Sequence, residues 1–305
     1  MALHHSFTSS QANYYVPIVF AQKVLINLYA MAIYEEISNT DFEGDLKKPG
    51  DIVRITRDPK MTIQAYDSNV DITYGDGPAE DGHELVCDQG YYWAYRMKDI
   101  DKIRLRPDYQ DRVAAAAAAS LKVEMDRNCL AAWSALADAD NMGSTAGALS
   151  GNIDMGVAGT PVSLTASNVM HWFHKCNQVL DEQNVPENKQ RYLTVPSWLV
   201  ALIKDSDIQR VDVTGDSTGV IRTGQIGTID GTTIYKSNNL PWNATSSEST
   251  VMFGVKDALT FAMELSEADT GKMEKQFANY FRGLVVFGRD AVQPEMFGVS
   301  VIKEG

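Results

Sequence analysis

The segment from Asp67 to Asp88 limits what this chain can fold into more than any other. It contains Asp67, Asp71, Asp76, Glu80, Asp81, Glu84 and Asp88, no Lys or Arg, and Gly75, Gly77, Pro78 and Gly82. Such a stretch repels itself and interrupts regular structure, so it predicts a solvated, acidic tip. Runs of strand character flank it. Ile52, Val53 and Ile55 follow a Pro49-Gly50 turn, Met61, Ile63 and Ala65 alternate with polar neighbours, and Glu84 to Met97 carries Leu85, Val86, Tyr91, Tyr92, Trp93 and Tyr95. Together they predict a two-stranded arm of ~15 residues per side, reaching about 50 Å at ~3.3 Å per residue. An isolated hairpin is marginal in water, so the arm must pack on another surface.

A second segment has the same difficulty. Residues 1–15 are polar and aromatic, with Phe7, Tyr14 and Tyr15 but no periodicity, and predict an extended arm without a core of its own. From Pro17, Val19, Phe20, Val24, Leu28, Met31 and Ile33 to Tyr34 recur at helical spacing and end before Asn39. Pro107 to about Ala139 is strongly helical, with Ala114 to Ala119 unbroken and Leu121, Met125, Cys129, Leu130, Trp133 and Leu136 on one stripe. At 1.5 Å per residue this helix would run to nearly 50 Å and serve as a spine.

Residues 140–163 are rich in Gly, Ser, Ala and Asn and predict a loop between domains, with flexible joints from Gly143 to Gly159. Mixed α and β character follows. Thr165 opens a helix to Leu180 with Val169, Trp172, Phe173, Cys176 and Leu180 inward; Arg191 to Val195 is a buried strand; Pro196 to Lys204 is a short helix. Gly224 to Pro241 predicts two short strands around the Asp230-Gly231 type I′ turn. Thr250 to Gly254, Ala258 to Leu265 and Arg282 to Arg289 make the end of the chain β-rich. The fold class is therefore α+β.

Composition narrows the function. With 27 Lys and Arg against 40 Asp and Glu, the formal charge of −13 gives no overall attraction to phosphate backbones or anionic lipid. The most apolar stretch, Val16 to Ile33, is interrupted by Gln22, Lys23 and Asn27, so no membrane span is expected. The first residues lack the pattern of a secretory signal. Three scattered cysteines, Cys87, Cys129 and Cys176, fit buried thiols in a reducing compartment.

Catalytic patterns fail on context. Gly215-Asp216-Ser217-Thr218-Gly219 satisfies G-x-S-x-G, yet the residues after it are β-branched and Gly-flanked, and every histidine (His4, His5, His83, His171, His174) precedes Ser217. His171, His174 and Cys176 share a helix, but no CxxC or HExxH partner exists. The acidic tip lacks a D-x-D-x-D-G calcium loop, and the Asn243-Ala244-Thr245 sequon carries no meaning without secretion. No catalytic residue, cofactor or metal ligand is expected. Two appendages that cannot bury their own apolar faces imply burial between chains, as in closed shells or filaments. The candidates for subunit contact are Phe7, Tyr14 and Tyr15 on the N-terminal arm, with Asp67, Asp71, Asp76, Glu80 and Asp81 on the tip.

In their order along the chain, several segments resemble the major capsid protein of tailed double-stranded DNA bacteriophages, with the Hong Kong 97 fold. They are KKPGDIVRIT, the spine sequence DYQDRVAAAAAASLKVEMDRNCLAAW, LTASNVMHWFHKCNQVLDEQNVP, RYLTVPSWLVALI, TGQIGTIDGTTIYKSNNLP and FRGLVVFGRDAVQPEMFGVSV. The resemblance spans essentially the whole chain. It implies an N-terminal arm and helix (1–45), an extended β-hairpin loop (46–100), a peripheral domain with spine helix and terminal strands (101–150 and 258–305) and an axial domain (151–257). It also implies a homo-oligomer of hexameric and pentameric capsomers in an icosahedral virion head, assembled in the host bacterial cytoplasm. Scaffolding protein and portal would be partners. Double-stranded DNA would be enclosed without sequence-specific binding as a procapsid expands. An encapsulin-type compartment on the same fold, and a serine hydrolase using Ser217, are the competing readings.

Overall fold

A computed structural model describes residues 32–41, 52–56, 63, 82–98, 109–186, 188–206, 228–274 and 276–305. The order is a single helical turn α1 (Tyr34–Ile37), strands β1 (Ile52–Thr56), β2 (Gly82–Val86) and β3 (Gln89–Lys98), and the long helix α2 (Tyr109–Trp133). Then come β4 (Val162–Leu164), α3 (Val169–Glu182), β5 (Arg191–Val195), α4 (Ser197–Asp205), β6 (Thr228–Ile229), β7 (Thr232–Lys236) and β8 (Trp242–Asn243). β9 (Glu248–Val255), β10 (Leu259–Lys272), β11 (Ala278–Ala291) and β12 (Phe297–Glu304) complete the chain.

These strands form three sheets. β1 and β2 make an antiparallel ladder, β10-β11-β3 an antiparallel sheet, and β4-β12-β9-β5-β7-β6 a mixed sheet in which β8 also pairs with β9. β5, RYLTV, has neighbours on both edges and is buried at every residue, Arg191 and Thr194 included. It lies parallel to β7 and antiparallel to β9. Asp230 and Gly231 have φ of 48° and 72°, the two positive values a type I′ turn demands, so this hairpin forms as the sequence predicts.

The cores of the two larger sheets are continuous. Trp133 at the end of α2 is fully buried together with Phe253, Phe261, Phe287 and Phe297, and its indole N–H donates to the Asp290 carbonyl at 3.2 Å. Burial of each such side chain is favoured by about 1.5–3 kcal/mol over exposure. α3 turns Val169, Trp172, Phe173, Cys176 and Leu180 inward, the residues its periodicity selects.

Four expectations need correction. The β-rich run from Glu84 to Met97 is not one edge of a hairpin: it breaks at Cys87 and Asp88, β2 pairs with β1, and β3 crosses to β11. The helix ends at Trp133, not near Ala139, so its 25 residues span about 37 Å. The turn after it is redirected where Asp138 accepts from the Asp140 N–H at 2.9 Å. Helix α3 opens at Val169, after Asn168 at its N-cap, and not at Thr165, while the last strand, β12, joins β9 in the larger sheet.

The fourth concerns the Gly-rich stretch 143–159, which is a packed plug and not a loose joint. Ala146, Ile153 and Met155 are buried, Ala146 and Ile153 exchange backbone hydrogen bonds, and the Met155 carbonyl accepts from Val301 N–H and Ser300 Oγ. Gly156, at φ 75°, lies so close to β12 that a Cβ there would collide with the Val301 carbonyl. Glycine is used here for close approach, and composition alone does not distinguish that from mobility.

Candidate functional site: the exposed face of the three-stranded sheet

Alternation along β3 decides which side chains meet solvent. Tyr91, Trp93, Tyr95 and Met97 share one face. On it, Asn128 of α2 donates to the Tyr91 hydroxyl at 2.8 Å, and rings run from Tyr91 through Phe287 and Phe261 to Tyr34 at centroid distances of 5.8, 5.7 and 4.6 Å. Farther along, Trp93 stacks on Tyr95 and Tyr95 on Phe281, with centroids 6.0 and 4.9 Å apart. The opposite face carries Tyr92, Ala94 and Arg96, all exposed.

Part of that opposite face is occupied by the root of the arm. Leu85 and Cys87 pack against Ala262, with Val53, Ile55 and Val286 around them, forming a small apolar cluster of their own. The Val86 carbonyl passes directly over Gly288, where any Cβ would lie 2.7 Å from that oxygen. Beyond the root, no described residue covers the face. Tyr92 is 78% exposed, and with Ala94, Asp269, Arg282, Gly283 and Leu284 it lines a trough of about 500 Å³. Arg282 donates to Asp269 Oδ2 through Nη2 at 2.7 Å and Nε at 3.1 Å, and the Tyr280 hydroxyl donates to the same oxygen at 3.2 Å. Arg282 thereby holds the Asp269 carboxyl below its ordinary range.

Two further apolar side chains project from turns. Phe277, in the β10–β11 turn, is 92% exposed, and Leu149 is 82% exposed. The Leu149 turn is rigidly made: Leu149 N–H, Ser150 N–H and Ser150 Oγ all donate to Glu182 Oε2, at 3.1, 2.9 and 3.0 Å. Those donors, the Ser150 amide foremost, lower the Glu182 pKa.

The residues singled out from sequence fall differently. Phe7, Tyr14, Tyr15, Asp67, Asp71, Asp76, Glu80 and Asp81 all lie outside the described residues, as do the Gly215–Gly219 motif and Ser217. Residues Glu84 and Asp88, at the edge of the acidic run, are described: Glu84 pairs with Arg54 at 2.8 Å and Asp88 accepts from Gln89. His171 and His174 face solvent while Cys176 is buried against Met155, so that helix does not gather the three. Among the described residues no group of three or more His, Cys, Asp or Glu could hold a metal ion, and no helix is long and apolar enough to cross a membrane. Sequence reasoning missed the trough. The signal was present in the Tyr91-Tyr92-Trp93 run, where strand alternation must turn one large aromatic away from the other two.

Comparison with known proteins agrees with this architecture. The sequence profile of a family described as phage capsid protein matches residues 62–298. No curated protein matches the sequence. Among solved structures, one from Mycobacterium phage Che8 is similar at 21% identity, covering 95% of this chain and 97% of that one, with a TM-score of 0.74. The capsid of cyanophage P-SCSP1u is similar at 15% identity, over 96% and 94% of the two chains, with a TM-score of 0.67. The capsid of an empty GTA particle is similar at 11% identity over 100% of both, with a TM-score of 0.61. At these identities the solved structures speak to the fold, which is Hong Kong 97-like.

Proposed function

The chain belongs to the phage capsid protein family, and from that premise we propose that it is the major subunit of an icosahedral head, tiling hexameric and pentameric capsomers around double-stranded DNA. It is a structural shell protein, and its place is the virion capsid. The observation that supports the finer reading is the family match over residues 62–298, which runs from before β2 to the start of β12.

The division of labour follows the sheets. We assign the peripheral domain to β3, α2, β10 and β11, and the axial domain to the seven-stranded sheet with α3 and α4. The arm of residues 52–86 and the segment 1–31 would lie across neighbouring copies, with Phe7, Tyr14, Tyr15, Asp67, Asp71, Asp76, Glu80 and Asp81 among the contacts. A standard interface buries about 800 Å² per partner, and many modest interfaces closed into a shell give stability that no single one has. Scaffolding protein and portal are proposed partners in building a procapsid, assembled in the bacterial cytoplasm. The acidic balance of the chain favours DNA that slides over the inner wall without adhering.

Expression of the chain, alone and with its scaffolding partner, followed by negative-stain microscopy and nuclease treatment of purified particles, tests this. Closed shells are expected, and particles from infected cells should protect DNA. Monomers alone at high concentration in both preparations would overturn it. Shells that protect a protein cargo and no DNA would establish the encapsulin reading instead. Ester hydrolysis abolished by Ser217→Ala with particles intact would establish the hydrolase.

A further inference from the structure

The long helix buries one carboxylate. Asp126 sits among Met125, Cys129, Leu130 and Trp133 on the inward side of α2 and is fully buried. Its Oδ1 accepts hydrogen bonds from the Ile33 and Tyr34 N–H groups, both at 2.9 Å, and its Oδ2 accepts from Asn239 Nδ2 at 2.7 Å. The first two donors open α1, the point at which residues 1–31 join the body. The third belongs to the turn between β7 and β8, where Ser237 Oγ in addition accepts from the Asn239 N–H at 3.1 Å. Three parts of the chain remote in sequence therefore meet on one side chain.

A carboxylate in such a place costs stability that an apolar residue would not, and what it returns is one defined arrangement among several. Each oxygen serves a different element. The group rotates as a unit, so a donor lost on one side frees the other. We propose that Asp126 is a positioning residue acting as a three-way latch: it pins the exit of residues 1–31 to the long helix and to the 237–241 turn together, so that loosening either one loosens the other.

The surroundings suit a latch. Tyr34 is wedged on Phe261, its hydroxyl donates to Glu35 at 2.9 Å, and Lys122 holds Glu35 from α2, also at 2.9 Å. The exit is thus braced on its solvent side by an ion pair and on its buried side by Asp126. Burial raises the Asp126 pKa against the opposing pull of its three donors and of Lys122, so its charge depends on those donors staying in place. Tyr34 and Lys122, with Cys129 on the next turn of α2 and the uncharged Asn239, are the groups that face it. If the chain is a shell subunit, as proposed above, the latch sets the direction in which the N-terminal segment leaves toward a neighbour.

Amide hydrogen exchange on the dissociated subunit tests the coupling without reference to shells. Asn239→Ala touches neither Ile33 nor Tyr34, yet it should speed exchange of both amides by about tenfold. Asp126→Leu should do the same and also release the turn. Thr194→Val, which removes a buried hydroxyl bonded to Met252 in the middle of the larger sheet, serves as a control for general destabilisation and should leave both amides as protected as before. Unchanged exchange at Ile33 and Tyr34 in Asn239→Ala would overturn the latch, and so would an equal acceleration in Thr194→Val. Absence of particles from the unmodified chain would count against the shell reading alone and leave the exchange result standing.

Discussion

Glu182 and Asp126 are carboxylates that the fold treats in opposite ways. Glu182 collects two backbone amides and a hydroxyl at the surface, and its pKa is lowered from 4.5. Its contribution is present above pH 4.5 and is lost as pH falls through the lower folded value. Relative to the intrinsic exchange rate at each pH, protection of the Leu149 and Ser150 amides should therefore fall in acid, and Glu182→Gln should remove that step. Asp126 is raised from 3.8 by burial, so its charged form weighs against the folded state. The unmodified protein should gain on Asp126→Asn as pH falls through the raised value toward 3.8, read from urea midpoints at successive pH values. Gly156→Ala forces a side chain at positive φ into the β12 backbone and should cost about 2–4 kcal/mol, measured by the same midpoints. Neither role was readable in the sequence. Asp126 left a trace, a charge on an otherwise apolar helical stripe, whereas Gly156 looked like every other glycine in a loop.

Among the elements, those whose pattern is set by local burial were legible. β5, α4 and the Asp230-Gly231 hairpin form where periodicity and turn chemistry put them, and α3 keeps its expected inward face but begins at Val169 and not at Thr165. Where the structure departs, the cause is tertiary. The Glu84 to Met97 run has strand character throughout, and nothing local says that it must change partners at Cys87 and Asp88. That is decided by Gly288, which lets β2 cross the sheet, and by the Leu85, Cys87 and Ala262 cluster. Gly288→Val should lift the arm root, at a cost of about 1–3 kcal/mol. The expected readout is faster proteolysis between residues 82 and 88 with the near-ultraviolet signature of the larger sheet retained. Equal protection of the arm in the variant would show that Gly288 is not the crossing point. β12 was overlooked for a similar reason: its neighbours β9 and β4 lie far from it in sequence, and only the folded sheet unites them.

For the molecule as a whole, charge is unevenly placed. Residues 1–31 contain Lys23 but no Arg, Asp or Glu, while the remainder of the chain carries all 40 acids. On the proposed reading this weakly charged segment is buried on a neighbouring copy and not on its own acidic body. Deletion of residues 1–15 should leave a subunit with an unchanged melting temperature that forms few closed particles, counted by microscopy. Normal shells from the truncated chain would contradict this. The overall fold class and the shell function were legible because several weak patterns occur in one order, whereas the exposed trough beside Tyr92 needed three strands to be brought together first. Only Cys87 and Asp88 separate the strand that leaves the body from the strand woven into its sheet. With the arm laid across a neighbour, as proposed, a pull on it would be carried as tension along the covalent backbone into β3 and shared across its ladder with β11, so swelling from within would load the sheet and not a slack tether.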